Sequence, residues 1–248
     1  MMGMVVDIGV NNGINSGISN AVAFGGWAVS ADILRDVFDG CGMDVNYIDV
    51  NRIMPKLFNA DRLRDDWAEV VIDAYRLTDA DAPTLIAGWS TGAMFAYAVS
   101  RIIPSQKLAL ISATPCFCRK EDFRFGVRQS AIDQMIGALY RDSSSVLQPF
   151  YERCGLEYHS GLIPDYTIDE LASGLMFLKQ ADLRPLIAPS IQPIFYHGKN
   201  DQIIPLAASK YFCEQTNGVF MEVDGGHAFF DRTPSPDLSV FAPHGRMF

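Results

Sequence analysis

The sequence predicts an α/β fold in which a mostly parallel sheet carries helices on both faces and is interrupted by a block of helices. Three observations carry that expectation. Short apolar runs of strand length alternate with stretches of helical periodicity toward both ends of the chain, the pattern of strand-helix-strand units. Between about residues 114 and 184 only helical segments remain, so a helical insertion separates the sheet-building parts. One strand-to-helix junction is the hexapeptide Ala87-Gly88-Trp89-Ser90-Thr91-Gly92, with apolar Thr84-Leu85-Ile86 before it and helix-forming Ala93-Met94-Phe95-Ala96-Tyr97-Ala98-Val99 after it.

In chain order, Met4-Val5-Val6 is an apolar patch followed by a Gly/Asn/Ser-rich loop at 11–17. Ala21-Val22-Ala23-Phe24 reads as a buried strand ending in a glycine loop, Gly25-Gly26-Trp27, and Ser30 caps the helix that Ala31-Asp32-Ile33-Leu34 opens. Val45 to Val50 alternates like a strand, and residues 61–77 place Leu63, Trp67, Val70, Val71 and Ala74 at helical spacing. After the Ser90 junction come a buried strand at 107–112, the helical insertion, and a strand at Ile191-Gln192-Pro193-Ile194-Phe195-Tyr196. The 248 residues suit a single domain, 1–248, with the insertion at about 114–184 as its cap.

Gly-x-Ser-x-Gly between a strand and a helix is the nucleophile elbow of the α/β-hydrolase fold, which lifts Ser90 out of the sheet edge. A serine hydroxyl is a weak nucleophile near neutral pH, so it needs a histidine base and an acid to orient that base. Four histidines are available: His159, His197, His227 and His244. His227, in Val223-Asp224-Gly225-Gly226-His227, lies in a glycine loop after the last strand and is the expected base; His197 is the alternative. Asp201, in His197-Gly198-Lys199-Asn200-Asp201, follows the penultimate strand and is the expected acid, the other reading being a loop carboxylate that caps the helix near Pro205. Ser90, Asp201 and His227 occur in the chain order that this fold uses. The oxyanion hole is expected from the backbone N–H groups of Thr91 and Trp27, the second being alternatively an ordinary tight turn.

Composition narrows the function further. A formal charge of −9 and a pI near 4.8 argue against nucleic acid or an anionic membrane as partner. Cys41, Cys116, Cys118, Cys154 and Cys213 are odd in number and lack metal-ligand spacing, which predicts free thiols in a reducing cytoplasm and no zinc site, while the expected serine acyl-enzyme chemistry calls for no cofactor or metal. The first basic residue is Arg35 and no apolar run reaches the length of a membrane span, so neither a secretory signal nor a membrane anchor is expected.

The chain resembles the pimeloyl-acyl-carrier-protein methyl ester esterases of biotin synthesis over roughly 24–234. The matching residues are Gly26-Trp27, Gly88-Trp89-Ser90, Ser112-Ala113-Thr114-Pro115-Cys116-Phe117 with Asp122-Phe123, Gly174-Leu175, Leu178-Lys179, Asp182-Leu183-Arg184 and Gly226-His227-Ala228-Phe229. The resemblance implies a cytoplasmic carboxylesterase that removes the methyl group from a pimeloyl chain on acyl carrier protein, using Ser90, Asp201 and His227. It implies that Trp27, Trp89 and Phe150 line the acyl chain, with core packing the alternative for Trp89 and Phe150. Six basic and six acidic residues cancel between 119 and 160, so the negative charge sits on the rest of the chain. An acidic carrier protein is therefore expected at the cap, on Arg124, Arg128, Arg141 and Arg153. Departures from the family pattern are Gly25 for a histidine, Ala93 for a glycine, Asp49-Val50-Asn51 for a Pro-Gly loop, the glycine-rich start, and a tail with Pro234, Pro236 and Pro243. A general carboxylesterase or thioesterase, and a noncatalytic hydrolase-like binding module, are the competing functions.

Overall fold

The computed structural model describes residues 19–38, 42–78, 82–157, 165–186 and 191–231. Its regular elements are β1 (Ser19–Phe24), α1 (Arg35–Phe38), β2 (Met43–Ile48), a short hairpin of β3 (Phe58–Asn59) and β4 (Arg62–Leu63), α2 (Trp67–Tyr75), β5 (Leu85–Trp89) and α3 (Thr91–Ser100). β6 (Lys107–Ile111) is followed by α4 (Gln129–Leu139), α5 (Ser144–Cys154) and α6 (Ile168–Gln180), then by β7 (Pro193–Gly198), α7 (Leu206–Gln215) and β8 (Val219–Val223).

Six strands form one sheet in the order β2-β1-β5-β6-β7-β8, and every pair in it is parallel. The order turns back at β1: the chain first adds β2 on one side and then crosses to add β5 on the other. That switch point opens a crevice beyond the carboxyl ends of β1 and β5, where sheets of this kind bind ligands. Gly25-Gly26-Trp27 and Ser90 are the residues that leave those two strands. The site is thus placed by topology before any side chain is considered.

β5 is buried along its whole length, and α3 is buried on every side, which explains why its sequence is apolar all round rather than striped. Close approach at the elbow requires glycine. A Cβ on Gly88 would collide with the backbone of Gly92, and one on Gly92 would collide with the carbonyls of Phe24 and Gly25. Gly88→Ala is therefore expected to lower unfolding free energy by about 3 kcal/mol, readable as a shifted urea midpoint.

The elements differ from expectation at more than one place: the block expected to be helical from about 114 opens with turns and isolated bridges, and its first helix begins only at Gln129. The helix expected over 61–77 begins only at Trp67, because Arg62 and Leu63 pair instead with Phe58 and Asn59. The Leu63 N–H also donates to Gln180 Oε1 of α6 at 2.9 Å, so a long-range contact overrides the local periodicity. The glycine-rich start, Cys41, His159, His244 and the proline-containing tail lie outside the described residues.

Among the three inserted helices α4 packs on both α5 and α6, and α6 packs on the 3₁₀ turn of Val50–Leu57. An aromatic trio joins them to the sheet: Phe95 of α3 stacks on Phe177 of α6 at 4.7 Å, and the Trp67 edge meets both rings at 5.2 and 5.0 Å. α6 starts with a full capping box between Thr167 and Glu170, which satisfies two otherwise unpaired backbone donors.

Candidate active site

Ser90 ends β5 with φ 58° and ψ −121°, a conformation that bulky L-residues avoid and that a tight strand-to-helix turn imposes. The strain is held by neighbouring structure: Ser90 N–H donates to the Ile111 carbonyl at 2.9 Å, and α3 begins one residue later. His227 sits in the loop after β8 and Asp201 in the loop after β7, so three strand ends converge.

Their geometry is that of a hydrogen-bonded relay. Ser90 Oγ lies 2.8 Å from His227 Nε2, and His227 Nδ1 lies 2.8 Å from Asp201 Oδ2. A hydroxyl can donate to Nε2 only if that nitrogen is unprotonated, which places the imidazole proton on Nδ1, facing the carboxylate. Asp201 also accepts from the Ile203 and Ile204 N–H groups through Oδ1, at 2.8 and 2.9 Å. The same carboxylate therefore shapes its own loop with one oxygen and faces the histidine with the other. Both the His227 and Asp201 side chains are fully buried. Burial pushes the Asp201 carboxyl upward, but the His227 ring, its hydrogen bond and His197 outweigh this and hold it below the usual carboxylate range. That stabilisation is present above the ordinary aspartate value near 3.8 and is lost as pH falls through the lower folded value.

His197, the alternative base, is buried elsewhere in the same network. Its Nε2 is 3.0 Å from the Ile204 carbonyl and 3.4 Å from Asp201 Oδ2, and no hydrogen bond links it to Ser90. Burial lowers its pKa despite the attraction of Asp201, so it stays neutral where an unfolded chain would be protonated. The sign follows: stability is full above the ordinary histidine value near 6.5 and declines as pH falls below it. His197→Phe is expected to flatten that decline, as measured by urea unfolding between pH 7 and pH 5.

Trp89 departs from the role expected of it. It is completely buried, its Nε1–H donates to the His227 carbonyl at 3.0 Å, and it does not border the cavity beside Ser90. The ring packs 5.1 Å from the His227 ring and edge-on to Phe230. The elbow turns the indole inward behind His227, where its hydrogen bond holds the loop. Ser112, which sequence reasoning did not place in the site, donates to the same carbonyl at 3.0 Å. Its signals in the sequence are its position at the end of the strand beside the elbow and its place at the head of the Ser112–Phe117 motif.

A cavity of about 510 Å³ opens on Ser90. Trp27, Thr91 and Phe150 border it together with apolar side chains of the inserted helices, including Ile132, Met135 and Leu175. Trp27 and Phe150 meet edge to face at 4.8 Å, and the Trp27 Nε1–H is spent on the Leu171 carbonyl of α6. Gly26 comes so close to Ser90 and Trp89 that a Cβ there would press on both side chains, so the loop after β1 lies directly against the nucleophile. The Trp27 and Thr91 backbone N–H groups both lie at this junction, and neither donates to a partner among the described residues. Of the four cap arginines, Arg153 borders the cavity while Arg124, Arg128 and Arg141 are exposed. None of the four takes part in an ion pair among the described residues, unlike Arg184, which pairs with Asp182 and Asp122.

Among the described residues no helix is long and apolar enough to cross a membrane. No protein-family model matches the chain. The chain is 28% identical to a pimeloyl-[acyl-carrier protein] methyl ester esterase of Nitrosomonas europaea over 173 residues, 63% of this chain and 69% of the relative. It is 24% identical to the protein of that name from Pseudoalteromonas atlantica over 77% of this chain and 80% of the relative. Further esterases of that name align over about half of this chain and under two thirds of their own length. An esterase from Exiguobacterium antarcticum superposes with a TM-score of 0.66 over 88% of both chains at 20% identity. With the elbow, the parallel sheet and these likenesses together, the chain is a serine hydrolase of the α/β-hydrolase fold that resembles the pimeloyl-[acyl-carrier protein] methyl ester esterases.

Proposed function

We propose that the protein hydrolyses the methyl ester of a pimeloyl chain carried on acyl carrier protein, with Ser90 as nucleophile, His227 as base and Asp201 as its orienting acid. The observation that carries this reading is the unbroken hydrogen-bonded path from Asp201 through His227 to a Ser90 that opens into an apolar cavity walled by the inserted helices. In the acylation half, Ser90 Oγ attacks the ester carbonyl carbon as its proton passes to His227 Nε2. The oxyanion is received by the Trp27 and Thr91 N–H groups, and collapse expels methoxide, which takes the proton from His227 and leaves as methanol. A water then repeats the sequence on the acyl-enzyme and releases the carboxylate. No step calls for a metal or cofactor.

In this reading residues 1–248 are one domain with the insertion at about 114–184 as its cap, and Trp27 and Phe150 contact the acyl chain. The cap also receives the carrier. Arg124, Arg128, Arg141 and Arg153 are exposed and form no ion pair among the described residues, so they can meet carboxylates and a phosphopantetheine phosphate without first breaking such a contact. Rim charges act chiefly on association rate and are screened by salt. The double reversal Arg124→Glu with Arg141→Glu, two exposed arginines away from the Ser90 cavity, is thus expected to slow cleavage of the carrier-bound ester about tenfold at low salt, and less at high salt. Cleavage of a small soluble ester should stay unchanged; equal effects on both substrates would remove the carrier from the cap.

The deciding experiment is methanol release from purified methyl-pimeloyl-acyl carrier protein, together with rescue of a biotin auxotroph that lacks its own esterase. Rescue by this chain and not by its Ser90→Ala form is expected. Hydrolysis of p-nitrophenyl esters without rescue or methanol release would favour the general carboxylesterase instead.

A further inference from the structure

A backbone oxyanion donor has no rotamer of its own; its direction is that of its peptide plane. The Trp27 N–H shares a plane with the Gly26 carbonyl, and in a trans peptide the two point opposite ways. What holds the carbonyl therefore aims the amide. That holder is Asn51, a fully buried residue at the start of the 3₁₀ turn after β2, where the sequence departs from the Pro-Gly loop of the esterases it resembles.

Asn51 Nδ2 donates to the Gly26 carbonyl at 3.0 Å and to the Val29 carbonyl at 3.3 Å, and Oδ1 accepts from the Ala28 N–H at 2.8 Å. The amide can sit only this way round, since Ala28 N–H is purely a donor and both carbonyls are purely acceptors. Asp49 fixes the amide in turn: its Oδ1 accepts from Asn51 N at 3.0 Å and from Nδ2 at 2.9 Å, while its Oδ2 accepts from Tyr166 OH. The loop needs this support because Ala28 is held at φ 58° with its side chain fully buried, a conformation that L-residues other than Asn and Asp seldom keep unaided. Tyr151 of α5 donates to the Ala28 carbonyl from the other side. Gly26, Ala28 and Val29 thus have polar groups committed to holding the loop, while the Trp27 N–H between them donates to no partner among the described residues and Trp27 borders the Ser90 cavity.

We propose that Asn51 is a positioning residue for the oxyanion hole: by holding the Gly26 carbonyl it turns the Trp27 N–H toward the ester oxygen, and the hydrogen bond on the carbonyl strengthens that N–H as a donor. The inference rests on the serine-hydrolase reading of Ser90 above. Its signature is a selective loss of transition-state binding, because the ground-state ester makes little use of the hole. Asn51→Ala is expected to lower kcat for a p-nitrophenyl ester about 100-fold while KM moves less than about threefold. The inhibition constant of a trifluoromethyl ketone, whose tetrahedral adduct places an oxyanion in the hole, should rise in proportion to the loss of kcat/KM. Asn51→Asp keeps the shape and the acceptor for Ala28 but sets an oxygen against the Gly26 carbonyl, so it should lose at least as much.

Circular dichroism and thermal melting establish folding of each variant, and Asn51→Asp supplies the measurement if Asn51→Ala does not fold. A folded variant with kcat within about threefold of the parent, a loss confined to KM, or an unchanged ketone affinity would overturn the proposal. So would failure of both variants to fold, which would make Asn51 a folding residue. Labelling of the unaltered protein by a fluorophosphonate at Ser90 separates the two levels: its absence refutes the serine-hydrolase reading, whereas labelling with indifferent Asn51 variants refutes only the role of Asn51.

Discussion

Ser90→Ala is expected to lower ester hydrolysis by about 10⁵- to 10⁶-fold while leaving the fold intact. The loss is this large because the three residues act as one unit, and Ser90 Oγ is the group that His227 Nε2 faces. Ser90 N–H, not its hydroxyl, ties the elbow to Ile111, so the variant keeps the backbone bond that supports the turn. Alanine at this position still has to adopt φ 58°, as serine does, which limits any stability change to the modest effect of one small side chain. Steady-state turnover, mass-spectrometric detection of an acyl-enzyme and a urea melt together test the claim. A folded Ser90→Ala protein that still hydrolyses ester at a rate near the parent's would place the nucleophile elsewhere.

Asp201→Asn should cost about 10⁴-fold in kcat, with the fold again retained. The structure shows why an isosteric change is so damaging. Oδ1 accepts two backbone N–H groups, from Ile203 and Ile204, so the asparagine oxygen is drawn to that side and its NH2 is forced to face His227. A donor there repels a protonated Nδ1, and the imidazole proton moves to Nε2. That nitrogen can then no longer accept from Ser90. The expected mark is a kcat loss with little change in KM, combined with weak phosphonylation by fluorophosphonates. Full activity in a folded Asp201→Asn protein would assign the acid to another residue.

Much of this could be read along the chain, for identifiable reasons. The strand at β1, the alternating β2, the elbow and the strands leading to Asp201 and His227 are local patterns, set by side-chain period and by glycines that the turn needs. Where a partner distant in sequence decides, local reading fails. Residues 61–66 have helical periodicity, yet Arg62 and Leu63 form a hairpin arm within them and the Leu63 N–H goes to Gln180, far along the chain. Trp89 resembles a ligand-lining position, yet its indole finds the His227 carbonyl and turns away from the cavity. Asn51 and Ser112 stood in stretches the sequence singled out, yet nothing there gave their roles, since what each binds is a backbone atom brought there by a different strand.

By itself the sequence determined the parallel α/β fold and singled out Ser90, Asp201 and His227 as candidates in that chain order, because apolar periodicity and turn chemistry act over a few neighbouring residues. Tertiary structure alone decided the tautomer-setting contacts of Asp201, the inward turn of Trp89, the neutral burial of His197 and the aim of the Trp27 amide. Those depend on distances of a few ångströms between residues far apart in the chain, and hydrogen-bond direction cannot be assigned until both partners are in place.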